Sequence, residues 1–381
     1  MDPSSISGSQ SYDVRNPYYK YIRRRIIVSG ITMTVRMDSK ERCVAVFKGE
    51  IPDRAPVCDF GNSAMLSYTG HTVRECREDP ALITEIMRRW VADTGADLFF
   101  GPLETKGIFM DLPGVEIKLP ENEPGSLKNA YYNNPEDVDA KPLYDPFDEK
   151  DSPMFHRYVV DALAAVGRGC EGAMAPAWCE GPLTVASYLR GAESLLMDML
   201  MAPDEAKRVI AKGAALCRDI VSAELESFDA DYVVCTDPVS SASMIDDNMF
   251  REYNMENLIS IVSHLRSRYG APTMVHICGD TGPMLEDFAK VGAAAFSLDH
   301  AVDMRAAKEA LGGRSAIVGN IDPVSVIMSG TADDVRRESQ RCFDEAGEGG
   351  GFIIGPGCAV PYGTPIENIR AMVEVSEANP Y

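Results

Sequence analysis

The chain has no CxxC pair, no apolar run near the roughly 18–20 residues needed to cross a bilayer, and no basic face. Ten cysteines spread from Cys43 to Cys358 over 381 residues are too sparse for a disulfide scaffold, which is small and cysteine-dense. They point to a reducing, cytoplasmic setting in which most cysteines are small buried apolar groups. Lys and Arg number 37 against 58 Asp and Glu, a net charge of −21, so the chain repels phosphate backbones and nucleic-acid binding is disfavoured. Without a long apolar run, no membrane insertion is expected. No short-period internal repeat is visible. What remains is an ordinary globular balance, 45% hydrophobic and 25% charged, in a chain long enough for one large domain.

The first 37 residues differ from the rest. They are polar and aromatic without helical periodicity. Arg23-Arg24-Arg25 before Ile26-Ile27-Val28 faintly resembles a signal peptide, but the apolar stretch is short and broken by Ser29, Gly30 and Thr32. The expectation is an N-terminal extension, poorly ordered or not native, with Met33 or Met37 as the natural start, followed by a single domain over residues 38–381.

From Asp38 the pattern is regular. Asp38-Ser39-Lys40-Glu41 opens a helix that Gly49 stops. Short buried-type runs follow at residues 55–60, 96–100, 173–178, 231–235, 272–278, 293–298, 315–319 and 351–354. Helical patterns separate them at 81–94, 154–166, 183–201, 203–228, 247–268, 281–291, 304–311 and 332–346, and a last one closes the chain at 365–377. Eight strands alternating with helices predict an α/β fold, a (β/α)8 TIM barrel. The rival, a doubly wound sheet, wants a GxGxxG after its first strand, and Phe60-Gly61-Asn62-Ser63 stands there instead. A long insertion after the second strand, residues 101–153, is rich in Pro, Gly, Asn and Asp; it predicts a hairpin at 110–119 and an acidic run that is either a solvated loop or a lid and partner surface.

The chemistry concentrates at the ends of the later strands. His276 and Cys278, two residues apart in Val275-His276-Ile277-Cys278, share one face of the fifth strand. Asp299 ends the sixth strand, and Cys358 follows the eighth. In a barrel the carboxyl ends of the strands form the reactive mouth. Spacing alone fits two arrangements equally well, a core histidine with packing cysteines or a metal site; placement of all the candidates at strand ends favours the metal. Imidazole and thiolate are zinc's preferred donors, and three protein ligands with a replaceable fourth make a catalytic site. Such a centre lets a bound thiol lose its proton near neutral pH and stay nucleophilic towards an alkyl group.

VHICGD, SLDHAVDMRAAKEAL, VGNIDPV and GPGCAVPYGTPIENIRAM, with KERCVAVFKGEIPDRAPV, CEGPLTVASYLRGAESLLMDMLMAP and DPVSSASMIDDNMFREY, resemble the uroporphyrinogen decarboxylase superfamily, and within it the methylcobamide:coenzyme M methyltransferase branch. The resemblance covers nearly everything from Asp38 onward. It implies a zinc-bearing (β/α)8 barrel in which His276, Cys278 and Cys358 are metal ligands and Asp299 is the displaceable fourth, with Asp where close relatives carry Glu and His300 as a substitute. It further implies that these residues act catalytically, moving a methyl group between a methylated corrinoid and a thiol such as coenzyme M, or from a methylated substrate to Co(I) corrinoid. No D-x-H-x-x-G corrinoid motif occurs, so the corrinoid would be supplied by a partner corrinoid protein.

The decarboxylases are the first rival. They carry arginines after the first strand to grip a polycarboxylate, whereas this chain has none there and places Asp59 where it would repel one. A non-catalytic barrel that binds a corrinoid protein is the alternative from another class. Candidate substrate-binding residues at other strand ends are Asn62, Asp237, Asn320 and Tyr362, although Asp237 fits a structural turn and Tyr362 a packing role equally well. Trp178, Cys179 and Glu180 border the cavity in the same reading. Cys43, Cys217 and Cys342 fall on helical patterns and read as packing. Gly349-Gly350-Gly351 precedes a strand and fits helix termination better than a phosphate loop.

Overall fold

The computed structural model describes residues 27–28, 31–32, 36–101, 104–134 and 136–381. The chain divides into two compact units, Met1–Arg36 and Met37–Tyr381. Within the first, a two-strand antiparallel ribbon pairs Ile27–Val28 with Ile31–Thr32; the expectation of disorder there otherwise falls outside the described residues.

The second unit is a closed parallel barrel. Its strands are β1 (Cys58–Asp59), β2 (Leu98–Phe99), β3 (Pro176–Glu180), β4 (Tyr232–Thr236), β5 (Thr273–Ile277), β6 (Ala295–Leu298), β7 (Ala316–Ile321) and β8 (Phe352–Pro356). Strands β3 to β8 pair in sequence order and all in parallel. Strand β1 pairs with β2. Parallel bridges Val57–Ile354 and Leu98–Met174 join that pair to β8 and β3, and the cylinder closes. The eight expected strands are these eight, displaced at their ends. Three run two residues further than their apolar runs, to Glu180, Ile321 and Pro356.

The opening helix, Ser39–Phe47, starts with a capping box between Asp38 and Glu41, and Gly49 follows its end at φ 73°. Two expected helices are each broken into pieces. One splits at Gly191, whose φ of 86° no helix accommodates, and the other at Asn254. The expected hairpin is present but shifted: Ile117–Lys118 pairs with Ser126–Leu127, so only half of it lies in 110–119. Gly349, Gly350 and Gly351 all have positive φ and lead into β8, as helix termination requires.

At the amino-terminal ends of the strands, one buried carboxylate serves two buried guanidinium groups. Asp97 is wholly enclosed; it receives Arg42 at 2.6 Å, Arg54 at 3.2 Å and the Val57 amide at 2.8 Å. Arg54 also donates to Ser376 Oγ at 2.6 Å, which ties the last helix to the barrel floor. An enclosed carboxylate survives at neutral pH only with such partners.

Candidate metal centre

Alternation along the strands decides what faces the interior. Glu180, Thr236, His276 and Ser297 are register partners across β3 to β6, so they lie in one row on one face. His276 is 1% exposed. Its Nδ1 faces the Ser297 carbonyl at 3.2 Å and the Ser297 hydroxyl at 3.1 Å, leaving Nε2 turned to the mouth. Phe60 and Phe100, stacked at 3.7 Å, press their edges against the imidazole at 5.3 and 5.8 Å. They form an apolar wall on that side.

Cys278 lies just beyond β5 and Cys358 just beyond β8. His276 Nε2 is 3.2 Å from Cys278 Sγ, and the two sulfurs are 3.7 Å apart. All three donors fall within 4.8 Å of one another. Two sulfurs on one tetrahedral zinc, each about 2.3 Å from it, stand about 3.8 Å apart, so the donor set fits zinc. The sulfurs already interact electrostatically. Cys358 is pulled down to about 4, first by the hydrogen bond from Cys278 and further by His276, while burial helps push the Cys278 thiol well up. The two thiols therefore titrate as a pair, and the first proton leaves it more readily than it would an isolated buried thiol.

Glycines set the approach of the two loops. Gly279 turns at φ 77°, and a Cβ there would stand 2.6 Å from Ser241 Oγ. A Cβ at Gly357 would meet the His300 amide nitrogen at 2.4 Å, so only glycine lets the β8 loop carry Cys358 past the β6 loop.

Asp299 does not join the three donors. Its Oδ2 accepts from the Gly279 amide at 3.0 Å and its Oδ1 from the Ala301 amide at 3.1 Å, so the carboxylate braces the loop that carries Cys278. His300 lies 2.9 Å from the same Oδ1 and 3.8 Å from Asp322, bridging two carboxylates outside the cluster. Of the four expected residues, the structure brings three together and sets Asp299 on the loop amides beside them.

The other candidates also hold loops. Asn320 is buried and donates to the Asp299 carbonyl at 2.9 Å and the Val302 carbonyl at 2.7 Å. Asn62, half-buried, donates to the Gly101 carbonyl at 3.2 Å. Asp237 is completely enclosed, receiving Thr184 through amide and hydroxyl, Ser240 and Asn254; burial, helped by Cys235, pushes it up to about 6. That is the structural turn, not an open substrate contact. Tyr362 is 56% exposed. Asp59 also turns away from the mouth. It accepts from the Trp90 indole in the helix layer, so its side chain does not face a substrate at the mouth as expected; burial pushes it up to about 6. Cys179 faces outward between β3 and the helix Pro203–Ser227 rather than bordering the cavity.

Ser297, Phe60 and Phe100 carried no motif that could mark them in the sequence. Lys106 was equally hidden in the irregular insertion. It is buried against Glu180 at the end of β3, with its ammonium 4.2 Å from the Tyr188 ring centre.

A closed (β/α)8 barrel with an imidazole and two sulfurs gathered at the carboxyl ends of β5 and β8 defines the class. Residues 38–378 match the family model described as uroporphyrinogen decarboxylase (URO-D), and the chain belongs to that family. Among curated relatives, methylcobamide:CoM methyltransferase MtaA of Methanosarcina barkeri is 26% identical over 341 residues, 88% of this chain and 96% of that protein. A methylated-thiol–coenzyme M methyltransferase of Methanosarcina mazei is 28% identical over 200 residues, 52% of each chain. A uroporphyrinogen decarboxylase of Methylobacillus flagellatus is 28% identical over 232 residues, 58% of this chain and 64% of that protein. A solved methyltransferase structure from Methanosarcina mazei superposes with a TM-score of 0.75 at 23% identity, covering 90% of this chain and 99% of that one, and so shares the fold. No helix among the described residues is long and apolar enough to cross a membrane.

Proposed function

We propose that this chain is a zinc-dependent methyltransferase that moves a methyl group between a corrinoid carried by a partner protein and a small-molecule thiol. The observation that carries this reading is the convergence of His276, Cys278 and Cys358 from two strands onto one point of the mouth. A decarboxylase of polycarboxylates has no need of that donor set. When bound, zinc supplies Lewis acidity that lets a thiol lose its proton near neutral pH.

The chain's own residues do the rest. Ser297 fixes the imidazole so that Nε2 faces the mouth. Cys278 and Cys358 supply two soft sulfur donors whose thiolate forms a bound cation favours. Phe60 and Phe100 keep water from one side of the cluster, and Asp299 fixes the Cys278 loop. The two methyltransferase relatives, named for methylcobamide and for coenzyme M, support the corrinoid and the thiol, with coenzyme M as the first acceptor to try. The same ligands serve demethylation of a methylated substrate.

The test is an assay with methylcobalamin and a panel of thiols, read by cobalamin absorbance. Wild type is expected to cleave the Co–C bond with at least one thiol. Cys358→Ala is expected to lose zinc and turnover while keeping its circular dichroism. Unchanged zinc and turnover in that variant would refute the assignment.

A further inference from the structure

A second set of donors lies on the opposite face of the sheet from the mouth. Cys179 of β3 and Cys235 of β4 are register partners. Their neighbours Glu180 and Thr236 share the inward row with His276, so both cysteines point outward, towards the helix layer. Cys217, on the buried side of the helix Pro203–Ser227, meets them there. The three sulfurs lie within 4.8 Å of one another, and none of the three residues is more than 1% exposed. All three are free thiols.

We propose that Cys179, Cys217 and Cys235 form a second, structural metal site that takes a soft d10 cation in three-coordinate thiolate geometry. Metal–sulfur bonds of about 2.3–2.5 Å in a trigonal plane separate the sulfurs by about 4.0–4.3 Å, within the spacing the three residues already have. Soft sulfur donors with no oxygen in the set select thiophilic ions over magnesium or calcium. Asp237, two residues beyond Cys235, interacts with it electrostatically, while Glu180 lies on the opposite face of the sheet and is paired with Lys106. Each of the three thiols gives up its proton to solvent as the ion binds, and the ion offsets most of the thiolate charge that burial would otherwise forbid. Donors from two strands and a helix would then be cross-linked behind the barrel wall. The enclosed position means that the ion is taken up as the chain folds.

Cadmium is the probe, because its NMR shift distinguishes all-sulfur sites from sites with nitrogen ligands. Full-length chain is produced in medium containing isotopically enriched cadmium, with the mouth disabled by C278S/C358S. The expected result is about one cadmium per chain with an all-sulfur shift, falling to below about a tenth when C217S or C179S is added. Serine keeps the volume, and the strand and helix variants are run in parallel with melting curves, so a folding defect in one leaves the other readable. A mouth-disabled chain without cadmium, or cadmium retained after C217S and C179S, would overturn the site. Neither result bears on zinc at the mouth, which is read separately in C217S.

Discussion

The Ser297 carbonyl, which can only accept, sets the tautomer at the ring nitrogen that faces away from the sulfurs, and the Ser297 hydroxyl adds a second contact there. Ser297→Ala removes the hydroxyl and keeps the carbonyl, and is expected to weaken metal binding about 10-fold while leaving the three proposed ligands in place; competition with a chromophoric chelator measures it, and unchanged affinity would remove the hydroxyl from the centre. Asp59 offers a second test, of stability. Burial raises its pKa to about 6, so the fold retains a proton that the unfolded chain has lost. Its stabilising contribution is complete below about pH 4 and lost as pH rises through about 6. Asp59→Asn should lack that loss. Its stability relative to wild type should improve by up to about 3 kcal/mol between pH 4 and 7 in urea titrations. At this scale the sequence marked the proposed ligands and concealed their supports. His276 and Cys278 stand out because a period of two places them together, whereas Ser297, Phe60 and Phe100 have meaning only through neighbours on other strands. Asp299 was legible as a strand-end carboxylate but not as a brace, because the Gly279 amide that occupies it comes from another loop.

Elements were legible where burial is uniform. Strands β4 to β8 read as apolar runs because sheet and helices cover both faces. Strands β1 and β2 are only two residues long, and the wider runs around them mark buried connections as much as ladder. Helix breaks at Gly191 and Asn254 escaped notice because hydrophobic periodicity continues across them. At the barrel floor, Asp97 serves Arg42, Arg54 and the β1 backbone together. Asp97→Ala would leave two guanidinium groups without their buried partner and is expected to cost about 3–5 kcal/mol, read from denaturant midpoints. A loss below about 1 kcal/mol would mean that the network is not a stabilising element.

On the scale of the whole molecule, the cylinder divides labour between its ends. Paired charges close the amino-terminal end, while the carboxyl end gathers an imidazole and two sulfurs from strands three places apart in the ring. That division follows from the (β/α)8 arrangement, in which loops after the strands carry chemistry and loops before them carry stability. Zinc K-edge absorption on protein purified without added metal addresses the central claim most directly. In C217S, which removes the Cys179–Cys217–Cys235 cluster, about one zinc per chain with two sulfur neighbours and at least one nitrogen is predicted. Protein that is active in methyl transfer yet holds no zinc, or zinc surrounded by oxygen and nitrogen alone, would contradict it.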